Sequence, residues 1–89
     1  MSEVLKPASA GTMESSDALV ELEPAQGRQI QLTSVVEAQF GDAIRAVAEE
    51  LLDRFGLTDV CLRIDDRGAL ECVLRALIET AILRAKGEN

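Results

Sequence analysis

The residues best able to take part in chemistry lie in one short polar stretch near the N-terminus, Gly11-Thr12-Met13-Glu14-Ser15-Ser16-Asp17. This stretch holds three hydroxyl groups and two carboxylates, and it precedes the first alternating apolar run of the chain. Glycine and small polar residues favour turns, so we expect an exposed loop or hairpin tip. A serine hydroxyl there can stabilise the turn, or can be the oxygen to which another enzyme attaches a phosphate-linked group. The residues alone leave both roles open.

Outside this stretch the sequence offers little for catalysis. It contains no histidine, and its two cysteines, Cys61 and Cys72, lack the spacing of a zinc site and are expected to be reduced thiols. The adjacent carboxylates of Asp65 and Asp66 could bind a metal or transfer protons. A turn followed by a helix start explains both residues, because carboxylates are favoured at a helix N-terminus. We therefore predict no catalytic residue, no metal site and a protein that is not itself an enzyme.

Size and charge limit the partners that we expect. A chain of 89 residues fits one domain, and a net charge of -7 with two phenylalanines and no tryptophan or tyrosine weighs against nucleic-acid binding. An acidic domain favours a basic docking surface on a protein partner. The chain has no apolar stretch long enough for a signal-peptide core or a membrane span. We therefore expect a cytoplasmic protein with no nucleic-acid or membrane partner.

The apolar periodicity predicts three strands in one sheet. Residues 18–23, 29–33 and 60–64 alternate between apolar and polar side chains. The connection between the first two runs is short, which predicts an antiparallel hairpin. Residues 10–13 could add a short strand of their own. Residues 1–9 show no periodicity and are expected to be flexible, which leaves 10–89 as a single domain.

Two amphipathic helices complete the predicted fold. The first begins at a capping box formed by Ser34 and Glu37 and ends at Gly56, and the second runs from about Ala69 to Lys86. The order strand-strand-helix-strand-helix predicts a small two-layer α+β domain with both helices on one face of the sheet. The predicted core combines inward strand positions with the apolar helix stripes: Val20, Leu22, Ile30, Leu32, Phe40, Ile44, Val47, Leu51, Leu62, Ile64, Val73 and Leu77.

Three blocks of the sequence resemble the acyl carrier protein, or gamma subunit, of citrate lyase. They are residues 11–17, then Glu37-Ala38-Gln39-Phe40-Gly41-Asp42-Ala43-Ile44, then Asp65-Asp66-Arg67-Gly68-Ala69-Leu70-Glu71-Cys72-Val73-Leu74-Arg75-Ala76. Their order and spacing make the resemblance specific over about residues 8 to 86. In that family the serine directly after the glutamate of the first block carries phosphoribosyl-dephospho-coenzyme A through a phosphodiester bond. The resemblance therefore implies that Ser15 binds this cofactor covalently.

The resemblance also implies a function and partners. The arm would carry an acetyl or citryl thioester between the alpha (transferase) and beta (lyase) subunits, during cleavage of citrate to acetate and oxaloacetate. A separate prosthetic-group transferase would load it. Glu14 and Asp17 flank Ser15 and are expected to aid recognition by these partners. Two alternatives stay open: the carrier of malonate decarboxylase, and an acidic protein-interaction module without a prosthetic group.

Overall fold

The structure, a computed structural model, describes residues 6–34 and 37–87, and the side chains of the first helix from residue 40 onward. The predicted α+β class is confirmed, and the strand considered for residues 10–13 is present slightly earlier in the chain. The elements are β1 (Ala8–Gly11), β2 (Ala18–Pro24), β3 (Gln29–Ser34), α1 (Glu37–Arg54), β4 (Val60–Asp66) and α2 (Glu71–Ala85).

The N-terminal end of the described chain is tied to the domain. Strand β1 begins at Ala8, inside the stretch 1–9 that was predicted to be flexible. Just before it, the Lys6 N–H donates to the Ala85 carbonyl at 3.2 Å, which links this end to the end of α2. The Glu37 side chain of the predicted capping box lies outside the described residues.

The strand order of the sheet is β1-β2-β4-β3, with β3 parallel to β4 and the other neighbouring pairs antiparallel. The predicted hairpin of β2 with β3 is therefore wrong, because β4 lies between them. Strand β4 buries Val60, Leu62 and Ile64 almost completely, and a strand this apolar is most favourable in the centre of the sheet. Strand β2 does form an antiparallel hairpin, but its hairpin partner is β1.

The link from β2 to β3 crosses the start of β4 instead of making a tight turn. The Ala25 N–H donates to the Asp59 carbonyl at 3.1 Å, and the Gly27 N–H donates to Asp59 Oδ1 at 2.9 Å. The link therefore spans two strand spacings, about 10 Å. Helix α1 then connects the parallel pair β3 and β4, as a parallel pairing requires.

Both helices cover the same face of the sheet. Helix α2 packs on β1 and β2, α1 packs near β3, and the two helices contact each other. Strand residues on this face are buried together with side chains of both helices: Ala18, Val20, Leu22, Leu62, Ile64, Ile44, Val47, Leu51, Leu52, Ile78 and Ile82. On the opposite face Arg63 pairs with Glu23 at 2.8 Å. This polar face agrees with a two-layer domain.

Most of the predicted core is confirmed, but two members, Phe40 and Val73, are wrong: Val73 is only partly buried and is not part of the core cluster. Ile30, Leu32 and Leu77 are only partly buried against the core. Phe40 is 53% exposed, because it continues the apolar stripe of α1 beyond the buried positions to the rim of a groove. In the described ranges 6–34 and 37–87, neither helix has the length and apolar content needed to cross a membrane.

Candidate functional site

The candidate site is the loop Thr12–Asp17, here called the Ser15 loop, at the tip of the β1–β2 hairpin. Gly11 precedes the loop and pairs with Leu19 across the hairpin. Its φ is +91°, and a Cβ atom at this position would lie 1.9 Å from the Ala18 carbonyl oxygen. Only glycine can therefore occupy position 11 without a shift of the backbone at the start of the loop.

Side-chain hydrogen bonds close the base of the Ser15 loop. The Thr12 hydroxyl donates to Asp17 Oδ2 at 2.7 Å and accepts from the Glu14 N–H at 3.2 Å. The Ala18 N–H donates to Asp17 Oδ1 at 2.8 Å. These donors lower the pKa of Asp17 below its ordinary value, with the Thr12 hydroxyl as the main cause and the Ala18 N–H second. The ionised carboxylate of Asp17 thus stabilises the loop.

The loop is also attached to the turn between β4 and α2. The Ser16 N–H donates to the Arg67 carbonyl at 2.8 Å, and the Arg67 N–H donates to the Asp17 carbonyl at 2.9 Å. These bonds extend the ladder of β2 and β4 past the pair Ala18 and Asp66. Ser16 has a φ of 65°, the only positive value among the non-glycine residues that the structure describes. The backbone after Ser15 is therefore held in a left-handed conformation.

Asp66 fixes the turn to which the loop is attached. Its side chain is buried, and it accepts hydrogen bonds from the Ser34 hydroxyl at 2.8 Å and from the N–H groups of Gly68 and Ala69 at 3.2 and 2.9 Å. The sequence predicted a turn residue here, but not its burial or its contact with Ser34. One carboxylate thus joins the end of β3, the end of β4 and the approach to α2.

Ser15 is exposed, and its hydroxyl makes no hydrogen bond within the part of the chain that the structure describes. A nucleophilic serine needs an adjacent base, which no described residue provides. The hydroxyl is accessible on a backbone held at both ends of the loop, so it fits a bulky covalent group that another enzyme attaches. The Glu14 carboxylate is exposed nearby, without an ion pair inside the described ranges.

The other polar residues singled out in the sequence form no second site. Within residues 6–34 and 37–87, no group of three or more histidine, cysteine or acidic side chains is placed to hold a metal ion. Cys61 is buried and Cys72 is exposed, and both are free thiols. Asp65 pairs with Arg67 at 3.1 Å on the surface. The Ser15 loop therefore stays the candidate site.

Comparisons with known proteins agree on an acyl carrier. A family model described as the malonate decarboxylase delta subunit (MdcD), with the short name ACP, matches residues 5–85. The citrate lyase acyl carrier protein of Clostridium perfringens is 48% identical, and the match covers 98% of this chain and 88% of that protein. Its counterpart in Yersinia enterocolitica is 49% identical, covering 97% and 91% of the two chains.

A solved structure extends the agreement to the fold. One chain of a Pseudomonas malonate decarboxylase hetero-tetramer, crystallised in complex with malonate, superposes with a TM-score of 0.77 at 25% identity. The match covers 92% of this chain and 86% of that one. Fold and site thus define a small α+β carrier domain, a class distinct from catalytic subunits.

Within that class, the chain belongs to the citrate lyase acyl carrier protein family, and the resemblance seen in the sequence is confirmed. Membership brings with it a covalently attached prosthetic group and partner catalytic subunits.

Proposed function

We propose that this chain is the acyl carrier subunit of a citrate lyase and that Ser15 is the residue to which its prosthetic group is attached. The observation that carries the proposal is 48% identity to a citrate lyase acyl carrier protein across nearly the whole chain. The attached group is proposed to be phosphoribosyl-dephospho-coenzyme A, linked by a phosphodiester to the Ser15 oxygen. When bound, this group supplies a terminal thiol that carries acyl groups as thioesters.

The geometry of the loop supports Ser15 over Ser16. Both side chains are exposed. Ser16, however, has a left-handed φ of 65°, a conformation in which glycine is the most favourable residue. A position whose main requirement is backbone freedom can lose its hydroxyl, as the resemblance implies for the residue after the modified serine. Ser15 precedes this position and has no such backbone requirement.

The chain itself contributes presentation and recognition. The Ser15 loop holds the attachment point at the tip of a hairpin, and tethering converts each encounter with a second active site into an intramolecular one. The proposed partners are the alpha (transferase) and beta (lyase) subunits and the prosthetic-group transferase, in the cytoplasm. The net charge of -7 would steer the domain toward basic docking surfaces. Recognition through Glu14 and Asp17 stays a prediction.

A carrier for malonate decarboxylase is the second candidate. The family model named for the malonate decarboxylase delta subunit and the TM-score of 0.77 favour it. The identity to that solved chain is 25%, against 48% for a citrate lyase carrier, so citrate lyase is the better supported of the two.

Reconstitution separates the two candidates. The carrier is loaded by a prosthetic-group transferase, its terminal thiol is acetylated with acetic anhydride, and the acetylated carrier is mixed either with citrate lyase alpha and beta subunits or with the catalytic subunits of a malonate decarboxylase. We expect oxaloacetate from citrate in the first mixture, with wild type and with Ser16→Ala, and none with Ser15→Ala. Carbon dioxide from malonate, without citrate cleavage in the first mixture, would favour the second candidate.

A further inference from the structure

An open apolar groove lies between the two helices and reaches the turn between β4 and α2, to which the Ser15 loop is attached. One wall comes from α1, with Phe40, Ala43 and Ile44, and the other comes from the turn before α2 and its first residues, with Ala69 and Leu70. The groove has a volume of about 320 Å³, within the size range of small-molecule sites, and its lining is mostly apolar.

Two large exposed apolar side chains border the groove, and a third lies in the Ser15 loop. Among the described residues, the large apolar side chains that are exposed are Met13, Phe40 and Leu70, at 45%, 53% and 70%. Met13 belongs to the Ser15 loop, whereas Phe40 and Leu70 border the groove. Exposed apolar surface gathered in one place usually marks a binding site.

Groove and loop are connected through the backbone. The N–H of Ser16, the neighbour of Ser15, donates to the Arg67 carbonyl at 2.8 Å. From Arg67 to the groove residue Leu70 is only three peptide units, at most about 11 Å of chain. Asp66, which fixes this turn, itself lines the groove. A group attached to Ser15 is therefore tethered beside the groove.

We propose that the apolar groove between Phe40 and Leu70 binds the pantetheine part of the arm that Ser15 carries, as a resting site between visits to the catalytic subunits. This inference rests on the proposed function. Pantetheine is a chain of methylene and methyl groups interrupted by amides. The apolar walls can contact the methylene and methyl groups. The Glu71 carboxylate, which also lines the groove, can accept hydrogen bonds from the amide N–H groups.

Tethering makes such a site effective even at low affinity. The phosphoribosyl and nucleotide parts of the arm form a flexible tether between Ser15 and the pantetheine. Such a tether gives an effective concentration in the roughly millimolar range, so a millimolar dissociation constant for the free group already populates the bound state. A protein partner that inserts an apolar side chain is the competing occupant. The groove is concave, and it is lined in part by Asp66, which fixes the turn that holds the attachment loop; this favours a tethered small group over a separate protein surface.

Nuclear magnetic resonance of the whole chain tests the proposal, with the unloaded and the transferase-loaded protein compared after intact-mass analysis. We expect methyl and amide shifts at Ile44, Val47, Leu70 and Leu74 on loading, in addition to those in the Ser15 loop. The open sheet face around Arg63 should not respond. Ala43→Phe fills the groove and should abolish the shifts on the groove walls while leaving those in the loop.

Ala46→Phe is the matched control, because Ala46 is also an exposed alanine of α1 but does not line the groove. It should retain the full set of shifts. Leu70→Ser, at a 70% exposed position, provides a second variant that weakens the groove without filling it and should reduce the shifts.

Two results would overturn the inference alone, in a sample whose mass proves that Ser15 is loaded. One is a set of shifts confined to the loop and to Arg67 and Gly68. The other is a set of groove resonances that shift when catalytic subunits are added but not when the arm is loaded. That result would make the groove a protein docking surface. A sample that gains no mass refutes the proposed function, and the inference with it.

Discussion

The hydrogen bond from the Thr12 hydroxyl to Asp17 is the contact that most affects the charge state of the loop. The pKa of Asp17 is lower in the folded protein than in the unfolded chain. The stabilisation from its ionised form is therefore complete above the ordinary aspartate pKa, and is lost as the pH falls through the lowered, folded value. The Asp17 carboxylate should therefore stabilise the loop throughout the neutral pH range, and this stabilisation should be lost only in acid.

Thr12→Val tests this stabilisation, because valine keeps the shape of threonine without the hydroxyl donor. The pKa of Asp17, followed through its carboxyl resonance, should rise toward the ordinary value, while the Ala18 N–H still provides the second hydrogen bond. An unchanged titration midpoint in Thr12→Val would show that the hydroxyl is not the main cause of the shift.

Gly11 gives a second test at the residue scale. Gly11→Ala places a Cβ atom against the Ala18 carbonyl oxygen in a left-handed conformation, so we expect a loss of about 2–3 kcal/mol in the free energy of unfolding. Gly27→Ala is the control, since Gly27 has a similar φ of +79° but no atom within 4 Å of the added carbon. It should cost about 1 kcal/mol. Equal losses in urea unfolding would contradict the steric argument.

At the scale of elements, the position of β4 shows what the sequence could and could not specify. Alternating and helical periodicities predicted β2, β3, β4 and both helices, because those patterns depend on near neighbours. The strand order depends on which strand buries most apolar surface, and a short link does not prevent a third strand from entering between two others. Strand β1, with the sequence Ala-Ser-Ala-Gly, has no large apolar side chain to signal it.

Arg28 stabilises the connection between β2 and β3, which crosses the start of β4 and was not predicted from the sequence. Its Nε donates to the Leu57 carbonyl at 3.1 Å, and one of its terminal nitrogens pairs with Glu49 and Asp53 at 2.8 and 2.7 Å. Hydrogen bonding to Asp53 is the main cause that raises the pKa of Arg28. One guanidinium thus joins the β2–β3 link, the end of α1 and the start of the loop before β4.

Arg28→Ala should therefore lower the free energy of unfolding by about 1–2 kcal/mol, mostly through the Leu57 carbonyl, because both acids are well exposed. Arg54→Ala is the matched control. Arg54 has an exposed pair with Glu50 one helical turn away, and its loss should cost no more than about 0.5 kcal/mol. Thermal or urea unfolding that ranks the two variants in the opposite order would contradict the assigned role of Arg28.

At the scale of the whole molecule, burial separates two side chains that the sequence assigned equally to the core. Leu51 is 2% exposed, whereas Phe40 is 53% exposed beside the groove. Leu51→Ala should cost about 2–5 kcal/mol in the free energy of unfolding, and Phe40→Ala less than about 1 kcal/mol. Chemical unfolding of the two variants checks this. A larger loss for Phe40→Ala would mean that the groove is closed in solution.

Only part of the candidate site could be predicted from the sequence, because local patterns indicate an exposed loop but not the distant residues that contact it. The polar composition of residues 11–17 indicated an exposed loop, and the resemblance singled out Ser15. The contacts that hold the loop come from Arg67 and, through the turn, from Asp66. Both are distant in the sequence, and only the packing of β2 beside β4 brings them to the loop.

Attachment of the prosthetic group to Ser15 can be measured by intact-mass and fragment-ion analysis of protein co-expressed with the prosthetic-group transferase. Wild type and Ser16→Ala should gain the mass of phosphoribosyl-dephospho-coenzyme A less the group lost on forming the phosphodiester, with the fragments placing it on Ser15. Ser15→Ala should gain nothing. A modified Ser15→Ala protein, or fragments that place the group on Ser16, would show that Ser15 is not the attachment site.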